Sequence, residues 1–217
     1  MKHFSTLLLC SALALPAAHA QQAFTATTAP ALTASTTAAP AAPAKRLANS
    51  EYKAHIKAAD AVLKTKPKDA EARLSRAQAH LELKNYEEAA ADYTALLRTQ
   101  PANAEWLYLR GTAYLRGEKF QPAINDFSKI LKADPQHKAS LLYRGVAKMK
   151  LLNFKGAIPD FGKIIEQEPE NADAYEYRGV CYSHAGQDAL AVQDLEKAAA
   201  LNPEAAKTLK RYRPSKK

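Results

Sequence analysis

Residues 104–137 read AEWLYLRGTAYLRGEKFQPAINDFSKILKADPQH. Apolar residues recur at helical spacing twice within this stretch, and a polar, Gly-containing break near Gly117 separates the two runs. The stretch is therefore a helix hairpin. Three more like it abut it without a gap. Residues 70–103 read AEARLSRAQAHLELKNYEEAAADYTALLRTQPAN, residues 138–171 KASLLYRGVAKMKLLNFKGAIPDFGKIIEQEPEN, and residues 172–205 ADAYEYRGVCYSHAGQDALAVQDLEKAAALNPEA. Asn85, Asn153 and Gly186 lie at or beside the corresponding breaks. Pro67, Pro101, Pro135, Pro169 and Pro203 stand 34 residues apart and mark the period. A fixed period of this length signals one supersecondary unit stacked into an array. Such an array offers an extended surface, which suits binding rather than catalysis.

The flanks differ from the repeats. Residues 1–20, MKHFSTLLLCSALALPAAHA, have a basic start at Lys2, a short apolar run and a small-x-small ending at Ala18-His19-Ala20. They are expected to form a secretory signal peptide cleaved near Ala20. A lipoprotein signal at Cys10 fits less well, because the large Leu9 precedes it and the apolar run continues beyond it. Residues 21–48 are mostly Ala, Thr and Pro and are expected to be a disordered linker, having too little apolar surface to offset the entropy of ordering. Residues 49–67 form an N-terminal capping helix in phase with the repeats, with Ser50 as expected N-cap and Tyr52, Ile56, Ala59 and Leu63 as its apolar stripe. Residues 206–217 form a basic C-terminal cap and tail, with Leu209 turned inward.

The formal net charge of +9 is a property of the ends. Residues 45–68 carry 7 basic and 2 acidic side chains, and residues 204–217 carry 6 and 1. The array between them is slightly acidic. These ends invite an anionic lipid or cell-wall polymer, or serve only to keep the ends of the stack in water. Nucleic acid is not an expected partner, since no recognition motif occurs. Nor is an enzyme expected: there is no nucleophile elbow, phosphate loop, zinc-ligand pair or cysteine–histidine signature. No cofactor or metal site is expected.

The units resemble the tetratricopeptide repeat. That motif has a large residue at place 4, Gly or Ala at place 8 and an aromatic at place 11. An aromatic follows at 17, Ala at 20, an aromatic at 24 and Pro at 32. Place 8 holds Ala77, Gly111, Gly145 and Gly179, and place 20 holds Ala89, Ala123, Ala157 and Ala191. Tyr86, Phe120 and Phe154 fill place 17, and Tyr93, Phe127 and Phe161 fill place 24. Arg73, His80 and Lys148 depart from the pattern, and Asp188 and Leu195 replace both second-helix aromatics of the last unit, which is therefore expected to pack more weakly. Pro159 is expected to bend or loosen its helix. The resemblance implies an all-α, right-handed superhelical solenoid of four hairpins whose first helices line a concave groove for a peptide or partner helix.

Carried over place by place, the groove comprises Leu74, Gln78 and Leu81, then Tyr108, Thr112 and Leu115. Leu142, Val146 and Met149 follow, then Glu176, Val180 and Ser183. Trp106 joins them as a candidate anchor, or else packs between units. The linker or the C-terminal tail is an alternative occupant of the groove. The family's clamp for a C-terminal carboxylate uses Asn, whereas Gln78, Thr112, Val146 and Val180 occupy the relevant places. Two charges repeat in phase: Arg76, Arg110, Arg144 and Arg178 at place 7, and Asp92, Asp126, Asp160 and Asp194 at place 23. They form an anion-binding ladder or pair with one another; equal numbers of opposite sign favour pairing. Cys181 takes the place of Ala79, Ala113 and Ala147, which makes it a small packed side chain.

Overall fold

The computed structural model describes residues 47–212, and among them every regular element is helical. The order is α1 (Asn49–Thr65), α2 (Ala70–Glu82), α3 (Tyr86–Leu97), α4 (Ala104–Arg116), α5 (Phe120–Ala133), α6 (Lys138–Lys150), α7 (Phe154–Gln167), α8 (Ala172–His184) and α9 (Asp188–Leu201). A 3₁₀ turn (Pro203–Ala205) then leads into α10 (Ala206–Tyr212). Each helix packs on the one before and the one after, so the elements build a helical solenoid of four hairpins flanked by a single helix at each end. The expected signal peptide and most of the expected linker lie outside the described residues, as does the tail beyond Tyr212.

The periodic prolines set the turns between hairpins. Each occupies the second position of a four-residue turn, where its fixed φ is already correct. The carbonyls of Lys66, Gln100, Asp134, Glu168 and Asn202 accept from the N–H groups of Asp69, Asn103, His137, Asn171 and Ala205 at 3.0–3.2 Å. The residue closing four of these turns then caps the next helix. Asp69, Asn103 and Asn171 accept from the backbone N–H three residues on at 2.9, 3.0 and 2.9 Å. In the third unit His137 does this through Nδ1, at 3.2 Å from Ser140 N. At α1, Ser50 is not the cap. The cap lies two residues earlier, at Ala48, and the Glu51 carboxylate accepts from the Ala48 N–H at 2.6 Å.

The turns within hairpins repeat as well. The carbonyls of His80, Tyr114, Lys148 and Tyr182 accept from the N–H groups of Asn85, Lys119, Asn153 and Gln187 at 2.7–2.9 Å. The residue before each of those donors is left-handed: Lys84 (φ 63), Glu118 (φ 59), Leu152 (φ 58) and Gly186 (φ 75). This is the Schellman ending, in which glycine is the usual left-handed residue. Only the fourth unit supplies one. Gly117 lies one position too early, with an ordinary φ of −84.

Close approach of paired helices explains place 8. A Cβ on Gly111 would lie 2.9 Å from the Phe127 ring, on Gly145 2.7 Å from Phe161, and on Gly179 2.8 Å from Leu195. In the first unit Ala77 and Tyr93 hold the equivalent places and both are fully buried. Leu195 likewise stays fully buried despite replacing an aromatic, and Asp188 sits exposed at the first turn of α9, where a carboxylate is favourable. Pro159 does not interrupt α7, which runs on to Gln167.

Left-handed geometry costs an L-residue roughly 1–2 kcal/mol, part of which glycine loses again in unfolded-state entropy. Leu152→Gly is therefore expected to stabilise the array by about 0.5–1 kcal/mol, a rise of roughly 1–4 °C in Tm by calorimetry. An unchanged or lower Tm would contradict the assignment of strain to Leu152.

Candidate functional site

The charged ladder is satisfied internally. Each place-7 arginine grips the place-23 aspartate of its own hairpin with two nitrogens. The Nε and Nη2 distances are 2.8 and 2.7 Å for Arg76–Asp92 and for Arg110–Asp126. They are 3.1 and 2.5 Å for Arg144–Asp160, and 2.7 and 2.9 Å for Arg178–Asp194. The aspartates are all buried. The third nitrogen, Nη1, reaches back to the preceding second helix: 2.6 Å to Asp60, 3.0 Å to Thr94 and 3.2 Å to Ser128. One side chain thus ties both helices of a hairpin to the hairpin before it. Hydrogen bonding to Asp126 and Asp194 raises the affinity of Arg110 and Arg178 for their protons. These guanidiniums are engaged in the scaffold, which removes the reading of an anion-binding ladder.

Two departures from the family pattern extend the same network. Arg73 donates to Asp92 at 3.2 Å and to the Pro67 carbonyl at 2.6 Å. Lys148 donates to Asp160 at 2.7 Å and to the Gly156 carbonyl at 2.9 Å. In the fourth unit the residue equivalent to Asp60, Thr94 and Ser128 is Gly162, which offers no acceptor. A Cβ there would lie 3.8 Å from Arg178 Nη1.

The expected groove residues do not share one environment. Gln78 is exposed. Leu74, Tyr108, Leu115, Leu142, Val146, Glu176 and Ser183 are half-buried. Leu81, Trp106, Thr112, Met149 and Val180 are buried, Thr112 and Val180 to 2% exposure. A side chain closed off to that degree packs the array and has little surface left for a ligand. Trp106 (8% exposed) therefore reads as packing, not as an anchor. Tyr108 is held in an aromatic cluster, its ring centroid 6.2 Å from Phe127, 6.1 Å from His137 and 5.9 Å from Tyr143. Burial of its ring also raises the pKa of its hydroxyl. At the far end α10 packs on α8 and α9. Thr208 donates to Glu176 at 2.6 Å, and Leu209 and Tyr212 lie against the core. Glu176 is thus engaged by the C-terminal cap.

Among the expected groove residues the half-buried aliphatic side chains are Leu74, Leu115, Leu142 and Val146. A separate opening lies between α3 and α4. It is a cleft of about 190 Å³ lined by Tyr86, Glu87, Ala90, Ala91, Ala113, Tyr114, Gly117 and Lys119. No place-by-place transfer from the family pointed to it. The sequence signal for it is three small residues where other units hold larger ones. Among the described residues no helix is long and apolar enough to cross a membrane.

The tetratricopeptide repeat profile matches residues 46–104, 84–138, 108–149 and 142–206. The chain belongs to the tetratricopeptide repeat family. No curated relative matches it in sequence. Among solved structures, MamA is similar at 22% identity and a TM-score of 0.65, over 73% of this chain and 92% of that one. A fragment of MamA from Desulfovibrio magneticus RS-1 is 25% identical with a TM-score of 0.62, over 66% and 82%. YrrB, described as a tetratricopeptide repeat protein with an unusual peptide-binding site, is 21% identical with a TM-score of 0.68, over 75% and 84%. At these identities the likeness establishes the fold.

Two outcomes follow from these contacts. A hydroxyl at residue 162 is expected to supply the missing acceptor for Arg178. Gly162→Ser should then stabilise the protein at least as much as Gly162→Ala, although Ser is the poorer helix former by about 0.5 kcal/mol. A Ser variant clearly below the Ala variant in urea denaturation would show that the third contact contributes nothing. Cys181 is fully buried, and burial pushes its thiol up to about 12. It is expected to resist thiol reagents at pH 8 until the protein is unfolded, because the thiolate is the reactive form. Rapid labelling of Cys181 itself in the native protein, located by peptide mapping, would contradict that.

Proposed function

We propose that this protein is an exported, non-enzymatic scaffold that holds a peptide or helix of another protein along the first helices of its repeats. The supporting observation is the residue row left over once the scaffold is satisfied. The arginines and aspartates answer each other, the side chains of Phe127, Phe161 and Leu195 fill the space against Gly111, Gly145 and Gly179, and Leu74, Leu115, Leu142 and Val146 stay partly open. Apolar side chains left at the surface of a folded array bind by burying a partner's apolar side chains, with polar neighbours setting orientation. The peptide-binding site described for YrrB is consistent with this use of the fold. Export rests on the signal-like residues 1–20.

Peptides recovered by display against the mature chain are expected to lose at least tenfold in affinity on Leu115→Glu and Val146→Glu, with helical content unchanged by circular dichroism. The same peptides should bind Leu190→Glu normally, because Leu190 is an exposed side chain of the second helix of the last hairpin. Equal affinity for all three variants, or loss only with Leu190→Glu, would contradict the proposed surface.

A further inference from the structure

We infer that the cleft between α3 and α4 is a second, independent binding site that takes one aromatic side chain of a partner peptide. Its existence is written in three departures from the repeat. Place 21 holds Ile124, Ile158 and Val192, and Ile56 in the half-unit, but Ala90 here. Place 22 holds Lys57, Asn125, Pro159 and Gln193, but Ala91 here. Place 14 holds Leu83, Leu151 and Ala185, but Gly117 here. All three of these small residues line the one cleft. Side-chain volume has been removed at Ala90 and Ala91, while Gly117 admits the close approach of Tyr86, whose Cβ lies 3.2 Å from where a Cβ on Gly117 would sit.

The shape and walls select the ligand. A cavity of about 150 Å³ lined by apolar groups accepts benzene, and this cleft offers about 190 Å³. It is therefore sized for one phenyl or phenol ring, and well below the ~300 Å³ at which drug-sized ligand pockets begin. Tyr86 and Tyr114 supply aromatic walls for offset or edge-on ring packing. Ala90, Ala91 and Ala113 supply an apolar lining. Arg110 lies over the Tyr114 ring, 5.8 Å from its centroid, and helps to hold that wall in place. Lys119 and Glu87 both belong to the lining and form an exposed ion pair at 2.6 Å. Side by side they present an ammonium donor and a carboxylate acceptor to the main chain of a peptide whose ring is inserted. None of the groove residues lines this cleft, so the two surfaces stand or fall separately.

The test uses the mature chain and N-acetyl-phenylalaninamide, with N-acetyl-alaninamide as the control. In NMR titration the phenylalanine probe is expected to bind saturably with Kd on the order of 1 mM, as befits a fragment of this size. Shifts should concentrate on Ala90, Ala91, Ala113 and Gly117, and the alanine probe should leave them unmoved. Ala90→Ile and Ala91→Gln restore residues found at the same places in other units. Each is expected to weaken binding at least tenfold while preserving the circular dichroism spectrum. Val146→Glu, on the other surface, should not. Absence of saturable binding, shifts centred elsewhere, or full affinity in both filled variants would overturn the proposal. The shift map of the unmodified chain decides the matter even if a filled variant fails to fold.

Discussion

A carboxylate buried between two helices must be answered by a cation. Removing one partner of such a pair costs about 3–5 kcal/mol, because the other is left charged and dry. Asp92, Asp126, Asp160 and Asp194 sit in that position, and the arginine sixteen residues earlier answers each with a two-nitrogen grip. Much of the remaining architecture depends on this constraint. The grip fixes the two helices of a hairpin relative to each other at the level where Gly111 and Gly145 let Phe127 and Phe161 come close. The third arginine nitrogen carries the register to the neighbouring hairpin. Turn prolines and the caps at Asp69, Asn103, His137 and Asn171 then repeat the geometry at every junction.

The same constraint separates scaffold from function. A residue that recurs in phase is engaged by its own neighbours: arginine by aspartate, ring by glycine, cap by backbone N–H. What is free to recognise another molecule lies where the period is broken or incompletely covered. That description fits the half-buried row on the first helices and the cleft opened by Ala90, Ala91 and Gly117. Lys148 and Arg73 are the exceptions: they break the family pattern yet are engaged by the ion-pair network.

The period made the fold legible from residues alone, since prolines 34 apart and small residues at places 8 and 20 can satisfy only a stack of helix hairpins. Other features were less visible, each for a physical reason. Lys84, Glu118 and Leu152 adopt a left-handed backbone without the glycine that normally announces it, because the Schellman bonds and packing impose the conformation. His137 caps a helix through a ring nitrogen, which residue type alone does not suggest. Ser50 looked like a cap, but Glu51 reaching back to Ala48 starts the helix earlier. The groove residues were legible as positions and not as surfaces. Trp106, Thr112, Met149 and Val180 are covered by the array, and burial depends on three-dimensional neighbours. The cleft was legible only by comparing single places across all units.

The measurement that bears most directly on this account is a double-mutant cycle on Arg110 and Asp126. Arg110→Ala, Asp126→Ala and the double variant would be compared by urea denaturation. Each single change should be strongly destabilising, and the double variant should be less destabilised than the sum by about 1.5 kcal/mol or more, since removing both partners leaves no unpaired buried charge. Additivity within about 0.5 kcal/mol would contradict the claim that this pair fixes the array.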